Sequence, residues 1–387
     1  MEKHNNDISR RTFLTRLSAG AAAVAGITMA GCHKKSDTTA PESADKALTA
    51  TGEMTYRTSP ITGDKVSLLG YGCMRWPQKY DADTDEMIID QDAVNKLVDH
   101  AIEHGVNYFD TAPPYLKGKS EQATGIALSR HPRQSYYLAT KLSTHPDNPE
   151  LRTLKGARSM FENSLRQLQT DYVDYYLVHC VGLGHPVMPQ TEQLHPDDPP
   201  GWQIMEERLI DNGVLDYLLD LRRQGKIRNL GWSYHGDVES FNYMLKLHDE
   251  GVAKWDFVQI QSNYVDWRHA SGFNTNAEWL YDQLHSRGIP VVVMEPLLGG
   301  RLSALNDNLV ATLKQREPER SVASWAFRFA GHQEGILTVL SGMTYMDHLD
   351  DNIATYSQLK PLSDDELNML EETAQIILRY TTVPCKA

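Results

Sequence analysis

The chain has 387 residues, of which 41% are hydrophobic and 23% charged, and its formal net charge is −13. This composition is typical of a globular protein with a large core and excludes disorder for most of the chain. Because phosphate neutralisation needs clustered Lys and Arg, an acidic chain without a dense basic patch is not expected to bind nucleic acid.

The first 31 residues predict a targeting segment. The pair Arg10 and Arg11 precedes an Ala- and Gly-rich apolar stretch at 17–31 that is too short to span a bilayer. The pattern resembles a twin-arginine export signal, and residues 29–32 resemble a lipobox whose cysteine, Cys32, is acylated after cleavage. We therefore expect a periplasmic protein that is attached to the membrane only through a lipid anchor at Cys32. A short uncleaved N-terminal anchor is the alternative.

Two segments lead into the main domain. Residues 32–53 are rich in Lys, Ser, Asp, Thr, Pro and Ala without any periodicity, and they predict a flexible tether. The strand-like stretches 55–58 and 66–69 flank a Gly-Asp turn at 63–64, which predicts a β-hairpin. The hairpin opens a domain that we expect to cover residues 54–380.

Short apolar runs alternate with segments of helical periodicity through this domain, as in residues 93–104, 154–168, 214–223 and 241–248. Eight such strand–helix repeats predict an α/β fold, a (β/α)8 TIM barrel whose floor is capped by the N-terminal hairpin. The rival fold, a doubly wound open sheet, usually needs a G-x-G-x-x-G turn after its first strand, and 69–74 supplies only two of those glycines. The predicted strands are 68–70, 108–109, 136–139, 172–178, 227–231, 257–260, 291–294 and 337–340.

A long Pro-, Gly- and His-containing segment, residues 181–202, follows the fourth strand. Barrel loops are usually much shorter, and a long loop at this end favours a substrate-shaping lid. His185 and His195 lie in it without partnered carboxylate spacing, and the four cysteines are too far apart for a C-x-x-C pattern. No metal site is predicted.

Four side chains are expected at the carboxyl ends of consecutive strands, where barrel enzymes place reactive groups. Asp110 ends the second strand, Tyr115 follows in the next loop, Lys141 ends the third strand and His179 ends the fourth. Taken singly, each could be an ordinary rim residue. Their order and the D-x-A-x-x-Y spacing favour a shared chemical role.

These four groups suit the reduction of a carbonyl. Hydride addition leaves an alkoxide that must be protonated, and a phenol such as Tyr115 can donate that proton. The ammonium of Lys141 would lower the phenol's pKa by favouring the phenolate, and a neighbouring carboxylate would keep the lysine charged. The imidazole of His179 could donate a hydrogen bond to the substrate oxygen.

The sequence resembles the aldo/keto reductase family over residues 54–380. The resemblance is carried by LGYGCMR at 69–75, FDTA at 109–112 with Tyr115, ATK at 139–141 and LVH at 177–179. It implies that Tyr115 is the acid/base, that Asp110 and Lys141 tune it and that His179 orients the substrate. It also implies a nicotinamide cofactor, NADP or NAD, and a carbonyl, sugar or sugar-like alcohol as substrate.

The resemblance also implies a set of cofactor contacts. Ser233, in a Gly-x-Ser segment after the fifth strand, would hold the carboxamide, although Tyr234 stands where many members have Asn. Glycines in the turn at 296–300 would let backbone amides approach the pyrophosphate. Members that prefer NADPH usually carry Lys and Arg on the adenine side, and this chain has Gly342 and His348 there. A preference for NADPH is therefore not implied, and NADH remains a candidate cofactor. The implied contacts are Ser233, Gln259, Met294, Pro296, Leu297, Gly299, Gly300, Gly342, His348, Asp351 and Asn352.

The last residues, 381–387, contain Pro384 followed by Cys385. A subgroup of the family continues into a ferredoxin-like module whose first ligand lies in a P-C-x-x-C run, and this tail resembles its first half. One cysteine cannot hold a cluster, which needs about four thiolates. We expect a truncated or lost iron–sulfur module, and a plain frayed tail is the alternative.

Two functions remain open at this point. The first is a working NAD(P)-dependent oxidoreductase. Outside the cytoplasm it would need a tightly held cofactor or an electron-transfer partner. The second is a non-catalytic cofactor-binding or regulatory barrel, and the complete set of four groups counts against it.

Overall fold

A computed structural model describes residues 53–144, 149–182, 199–271, 274–357 and 359–381. The strands in chain order are β1 (Tyr56–Thr58), β2 (Lys65–Ser67), β3 (Leu69–Gly72), β4 (Gln78–Asp81), β5 (Glu86–Ile89), β6 (Tyr108–Asp110), β7 (Tyr137–Leu142), β8 (Val173–Val181), β9 (Ile227–Tyr234), β10 (Phe257–Gln261), β11 (Val291–Met294) and β12 (Ile336–Ser341). The α-helices are α1 (Gln91–Glu103), α2 (Ser120–Leu128), α3 (Leu154–Leu168), α4 (Gly201–Glu206), α5 (Val214–Arg223), α6 (Val238–Asp249), α7 (Asp266–His269), α8 (Ala277–His285), α9 (Asp307–Arg316), α10 (Val322–Ala330), α11 (Met346–Tyr356) and α12 (Asp364–Thr381).

Eight of these strands, β3 and β6 to β12, form a closed barrel. Every neighbouring pair is parallel, and β12 returns to β3 with Val339 opposite Leu69 to close the ring. Helices connect the successive strands on the outside. The predicted (β/α)8 barrel is confirmed, and each of the eight predicted strands overlaps one barrel strand.

The barrel strands are nearly continuous apolar runs because both of their faces are buried. One face points into the barrel, and the other packs under the helices. The interior is filled with side chains, as expected for an eight-stranded barrel. The inner cluster consists of Val66, Tyr108, Ala139, Tyr175, Leu177, Phe257, Val292, Leu337 and Leu340.

Several helices begin at a capping side chain. Asp90 accepts a hydrogen bond from the Ala93 amide at the start of α1, and Thr153 accepts one from Gly156 at the start of α3. Such bonds satisfy amides that the first helical turn leaves without partners. The predicted bounds of α3 and α5 agree with the structure.

The N-terminal hairpin closes the floor of the barrel, as predicted. Strands β1 and β2 are antiparallel, with Tyr56 opposite Ser67. Asp64, in the turn between them, accepts hydrogen bonds from the Tyr175 hydroxyl at 2.9 Å and the Asn229 amide at 3.1 Å. The turn is therefore tied to residues of β8 and β9.

A second hairpin, β4–β5, was not predicted. It follows the first barrel strand, and Gln78 lies opposite Ile89 at its open end. Its residues are almost all exposed, including Tyr80 and Met87. Because neither face is buried, the apolar–polar alternation that reveals a strand in a sequence is absent.

Several predicted segments lie outside the described residues: the signal and nearly all of the tether, residues 183–198 of the long segment, and the tail after Thr381. Helix α4 begins at Gly201, so the irregular segment ends earlier than the predicted residue 202. Within the described ranges, no helix has both the length and the apolar character that crossing a bilayer requires.

Candidate active site

The four predicted catalytic side chains belong to one end of the barrel, where β6, β7 and β8 finish. Asp110 is the last residue of β6, and Lys141 is the penultimate residue of β7. Tyr115 begins a short 3-10 turn after β6. Strand β8 continues to Val181, so His179 lies two residues before its end rather than at the end as predicted.

Asp110, Lys141 and Tyr115 form a connected chain of hydrogen bonds. The Lys141 ammonium donates to Asp110 Oδ1 at 2.5 Å, to the Thr111 carbonyl oxygen at 2.8 Å and to the Tyr115 hydroxyl oxygen at 3.2 Å. Lys141 and Asp110 are fully buried, and Tyr115 is half-buried. An ammonium can only donate, so the Tyr115 oxygen accepts from it and keeps its own proton for another acceptor.

Burial and neighbouring charges act in opposite directions on the pKa values of Lys141 and Tyr115. Burial opposes the charge on Lys141, but the Asp110 carboxylate and Tyr115 outweigh burial and raise the pKa of the lysine above its usual range. Burial raises the pKa of Tyr115 to about 12, and Lys141 only partly offsets it. Lys141 thus lowers the pKa of the phenol as predicted, but desolvation raises that pKa by more than one ammonium lowers it.

His179 completes the group. Its ring centroid lies 6.2 Å from that of Tyr115, and its Nδ1 is 2.5 Å from the hydroxyl of Ser143. Ser143 therefore fixes the orientation of the imidazole. Ser143 is not among the residues predicted from the sequence, although its position two residues after Lys141 is the spacing that places side chains on one side of a strand.

Two further side chains at this mouth were also missed, Cys180 and His235. The rings of His179 and His235 are 5.6 Å apart. Burial lowers the pKa of His235 to about 4 and raises that of Cys180 to about 11. At neutral pH both side chains are uncharged.

The predicted nicotinamide contacts lie in the adjoining strands. Ser233 of β9 and Gln259 of β10 are register partners, and both are buried. The Gln259 amide lies beside Asp110 and favours its charged form, while the Ser233 hydroxyl accepts from the Cys180 amide at 3.2 Å. Met294 ends β11 and is partly exposed. Gln259 thus contacts the catalytic chain directly, whereas Ser233 contacts the backbone of β8 next to His179.

The predicted pyrophosphate turn, which includes Pro296 and Leu297, has an unusual backbone. Gly299 and Gly300 have φ angles of 68° and 96°, and Glu295 and Leu298 also have positive φ. Nothing lies within 4 Å of the point where a Gly300 Cβ would be. Gly300 therefore faces open space, as several other turn glycines do. The Glu295 carboxylate accepts from the Gly299 amide at 2.7 Å, so an incoming phosphate would compete with it.

The predicted adenine-side residues differ in their contacts and exposure. Asn352 donates to the Ser341 hydroxyl at 3.0 Å, and Asp351 accepts from Ser321 at 2.6 Å, so both side chains already hold the local structure. His348 is exposed. A Cβ at Gly342 would lie 3.0 Å from the Arg75 side chain, which places an arginine beside this region.

The fold and the site together define a class: a (β/α)8-barrel enzyme with a buried lysine–carboxylate pair and a phenolic proton donor at the mouth. The model of the Aldo/keto reductase family matches residues 68–375. The protein belongs to this family.

Similar proteins agree with that assignment. The chain is 24% identical over 333 residues to L-galactose dehydrogenase of Arabidopsis thaliana, covering 81% of this chain and 91% of the relative. An aldo-keto reductase of Bacillus halodurans in its holo form gives a TM-score of 0.60 at 23% identity, covering 83% and 96% of the two chains. A Klebsiella pneumoniae aldo-keto reductase in complex with NADPH gives 0.58 at 21% identity, covering 83% and 96%. At such identities the two structures show the shared fold.

Proposed function

We propose that the protein is an NAD(P)-dependent oxidoreductase that interconverts a carbonyl compound and its alcohol, with Tyr115 as the proton donor. The observation that carries this proposal is the chain from Asp110 through Lys141 to Tyr115, with its 2.5 and 3.2 Å contacts. The chain leaves the phenol as a neutral hydroxyl whose proton points away from the ammonium.

A dinucleotide held at this mouth by residues such as Ser233 and Gln259 would supply a hydride to the carbonyl carbon. In reduction, the substrate oxygen gains negative charge as its double bond to carbon becomes a single bond, and the Tyr115 O–H gives its proton to that oxygen. The Lys141 ammonium, 3.2 Å away, stabilises the phenolate that remains. His179, held by Ser143, is positioned to hydrogen-bond the same oxygen.

The residues present suit a dinucleotide. The buried Ser233 and Gln259 offer polar groups at the mouth, and Gly299 and Gly300, both with positive φ, would let backbone amides approach a phosphate. The family membership supports the cofactor class, and the Klebsiella relative is in complex with NADPH. The choice between NADP and NAD is best settled by denaturing the purified protein and identifying any released dinucleotide.

We favour a small sugar or sugar-like alcohol, or a simple aldehyde, as the substrate. The name of the Arabidopsis relative, L-galactose dehydrogenase, supports this class. The mouth bears several hydrogen-bonding side chains, which suits a hydroxylated substrate.

Replacing Tyr115 tests the function. Tyr115→Phe removes the proton donor while keeping the ring, and we expect kcat for carbonyl reduction to fall by about 10²–10⁴-fold. The measurement is the loss of nicotinamide absorbance with NADH or NADPH and a panel of sugars and aldehydes. Tyr380→Phe, at a tyrosine that is 67% exposed in α12, is the matched control. Equal rates in Tyr115→Phe and the parent protein would favour the non-catalytic barrel instead.

We also propose that the protein is exported by the twin-arginine route and anchored through Cys32. The Arg10 and Arg11 pair and the lipobox-like segment support this location. The tether at 32–53 would then separate the barrel from the membrane. In that compartment, turnover would need a tightly held cofactor or an electron-transfer partner.

A further inference from the structure

Strand β8 ends irregularly at the mouth of the barrel. Its pairing with β9 shifts between Val178 and Val181, and Cys180 between them has a φ angle of 57°. Consecutive side chains of a regular strand point to opposite faces. The shift breaks this alternation and lets the side chains of His179 and Cys180 approach the same point.

The end of β9 brings a third side chain to that point. Val181 is opposite Tyr234, and the next amide, that of His235, donates to the Val181 carbonyl oxygen at 2.8 Å. A Cβ at Gly182 would lie only 2.1 Å from the Gly236 carbonyl oxygen, so the two strand ends are in close contact here. One potential ligand atom from each of His179, Cys180 and His235 lies within 4.8 Å of the other two.

This set of donors suits a soft divalent metal. Zinc takes thiolate and imidazole ligands at about 2.0–2.3 Å, so donors around it are roughly 3.3–3.8 Å apart, and a contraction of about 1 Å would bring these three into range. Nδ1 of His179 contacts the Ser143 hydroxyl, and Nδ1 of His235 lies 3.4 Å from the Ser233 carbonyl oxygen. Outer contacts of this kind orient imidazoles that bind metals.

A partly buried guanidinium lies beside Cys180. The guanidinium of Arg208 donates to the carbonyl oxygens of His179 and Cys180, at 3.0 and 3.3 Å. It therefore places positive charge beside the position where a thiolate would form. Lys141, the other nearby cation, has its charge balanced by Asp110.

We infer that His179, Cys180 and His235 form a binding site for a soft divalent transition metal of the Zn²⁺ class, with three protein ligands and an open fourth position. The site lies beside Tyr115 and shares His179 with the substrate site. Metal binding should therefore inhibit carbonyl reduction, a consequence that rests on the proposed function.

A test of this site must distinguish it from a second cluster of possible metal ligands. His100, Glu103 and His104 in α1 also bring their ligand atoms within 4.8 Å of one another. That cluster contains no thiol. Cobalt(II) distinguishes the two, because a thiolate ligand gives an intense near-ultraviolet charge-transfer band and imidazole and carboxylate ligands do not.

The direct test is a Co²⁺ titration of the full chain under reducing conditions. We expect the thiolate band to saturate at one Co²⁺ per chain in the parent protein and in two controls, Cys73→Ser and His104→Ala. Cys180→Ser should lose the band, and His235→Ala should weaken binding about tenfold or more. Circular dichroism of each variant reports its fold, and His235→Ala tests the site without altering any thiol.

Two results would overturn the site: no thiolate band in the parent protein, or a band that persists in Cys180→Ser. Inhibition is measured separately, as the Zn²⁺ concentration that halves carbonyl reduction. We expect that concentration to be about tenfold or more higher in Cys180→Ser. If the cobalt band behaves as expected but no preparation reduces a carbonyl, the proposed function fails and the metal site stands.

Discussion

Tyr115 is a phenol that holds its proton tightly. Burial raises its pKa to about 12, and the ammonium beside it does not reverse this shift. A group of this kind is fully protonated at neutral pH and is ready to donate, but it is a poor base. The same side chain therefore favours the two directions of the reaction unequally.

This asymmetry predicts opposite pH profiles. Reduction uses the neutral phenol, and Tyr115 stays protonated between pH 6 and about pH 10. Ionisation of Tyr115 should therefore not lower kcat for reduction in this range. Oxidation uses the phenolate, whose fraction below pH 12 rises about tenfold per pH unit, so oxidation should accelerate steadily over the same range. Initial rates in both directions test this. A plateau of the oxidation rate near pH 8 would mean that the acid/base group has a much lower pKa.

Lys141 supports stability as well as chemistry. Lys141→Met leaves the Asp110 carboxylate buried without its partner, and we expect the free energy of unfolding to fall by about 3–5 kcal/mol. Lys246→Met is the control, because this exposed lysine lies 3.9 Å from Glu250 and such pairs are worth at most about 1 kcal/mol. Urea unfolding of both variants gives the comparison. A similar, small loss in both would show that the Asp110–Lys141 pair does not hold the barrel together.

The sequence indicated the catalytic side chains more readily than the residues that surround them. Asp110 and Lys141 follow apolar runs whose strand character is clear, so their place at a strand end follows from the pattern. Cys180 and His235 reach the mouth through the irregular end of β8 and its contact with β9. No periodicity encodes such a shift, and their closeness could be recognised only in three dimensions.

At the level of elements, the contact between the ends of β8 and β9 depends on Gly182. Its φ of 99° is unfavourable for other residues, and an added Cβ would collide with the Gly236 carbonyl. Gly213 has a φ of 70° but nothing within 4 Å of a Cβ. The two positions share the backbone requirement and differ in the space available.

We expect Gly213→Ala to cost about 1–2 kcal/mol, because only the backbone preference is lost. Gly182→Ala should lower the free energy of unfolding by about 1–3 kcal/mol more than Gly213→Ala does, because the two backbones must separate. It should also reduce turnover by moving His179. Thermal or urea unfolding and steady-state kinetics measure both effects. Equal losses of stability would show that β8 and β9 can separate freely here.

The elements that were predicted and those that were missed differ in burial. Strands such as β7 and β11 are buried on both faces and stand out as apolar runs. The β4–β5 hairpin is exposed and polar, and its stability comes from main-chain pairing that does not depend on a hydrophobic pattern. The fold of the barrel could therefore be read from the sequence, and this added hairpin could not.

At the scale of the whole molecule, repetition made the architecture predictable. Eight strand–helix units leave few topologies open, because parallel crossovers are right-handed and each strand must bury both faces. The cofactor preference is harder to predict. Arg75 packs beside Gly342 although the two are far apart in the chain, so its charge near the predicted adenine-side residues could not be recognised from the sequence.

Export of the whole molecule is tested by changing the arginine pair. Arg10→Lys combined with Arg11→Lys keeps the charge, but we expect it to block twin-arginine transport and leave the protein in the cytoplasm. Cys32→Ser should still be exported but should appear in the soluble periplasmic fraction instead of the membrane fraction. Cell fractionation and immunoblotting measure both. Export of the double-lysine variant at the parent level would count against this route.

Asp110 and Lys141 come from neighbouring strands. Burying either charge without the other would be energetically costly, because the buried charge would lack its partner. An incompletely closed barrel would have to keep both groups hydrated. Closure of the ring and completion of the proton-donating chain should therefore occur in the same step. In a refolded sample, specific activity would then rise in proportion to the fraction of native molecules, without a native but inactive population.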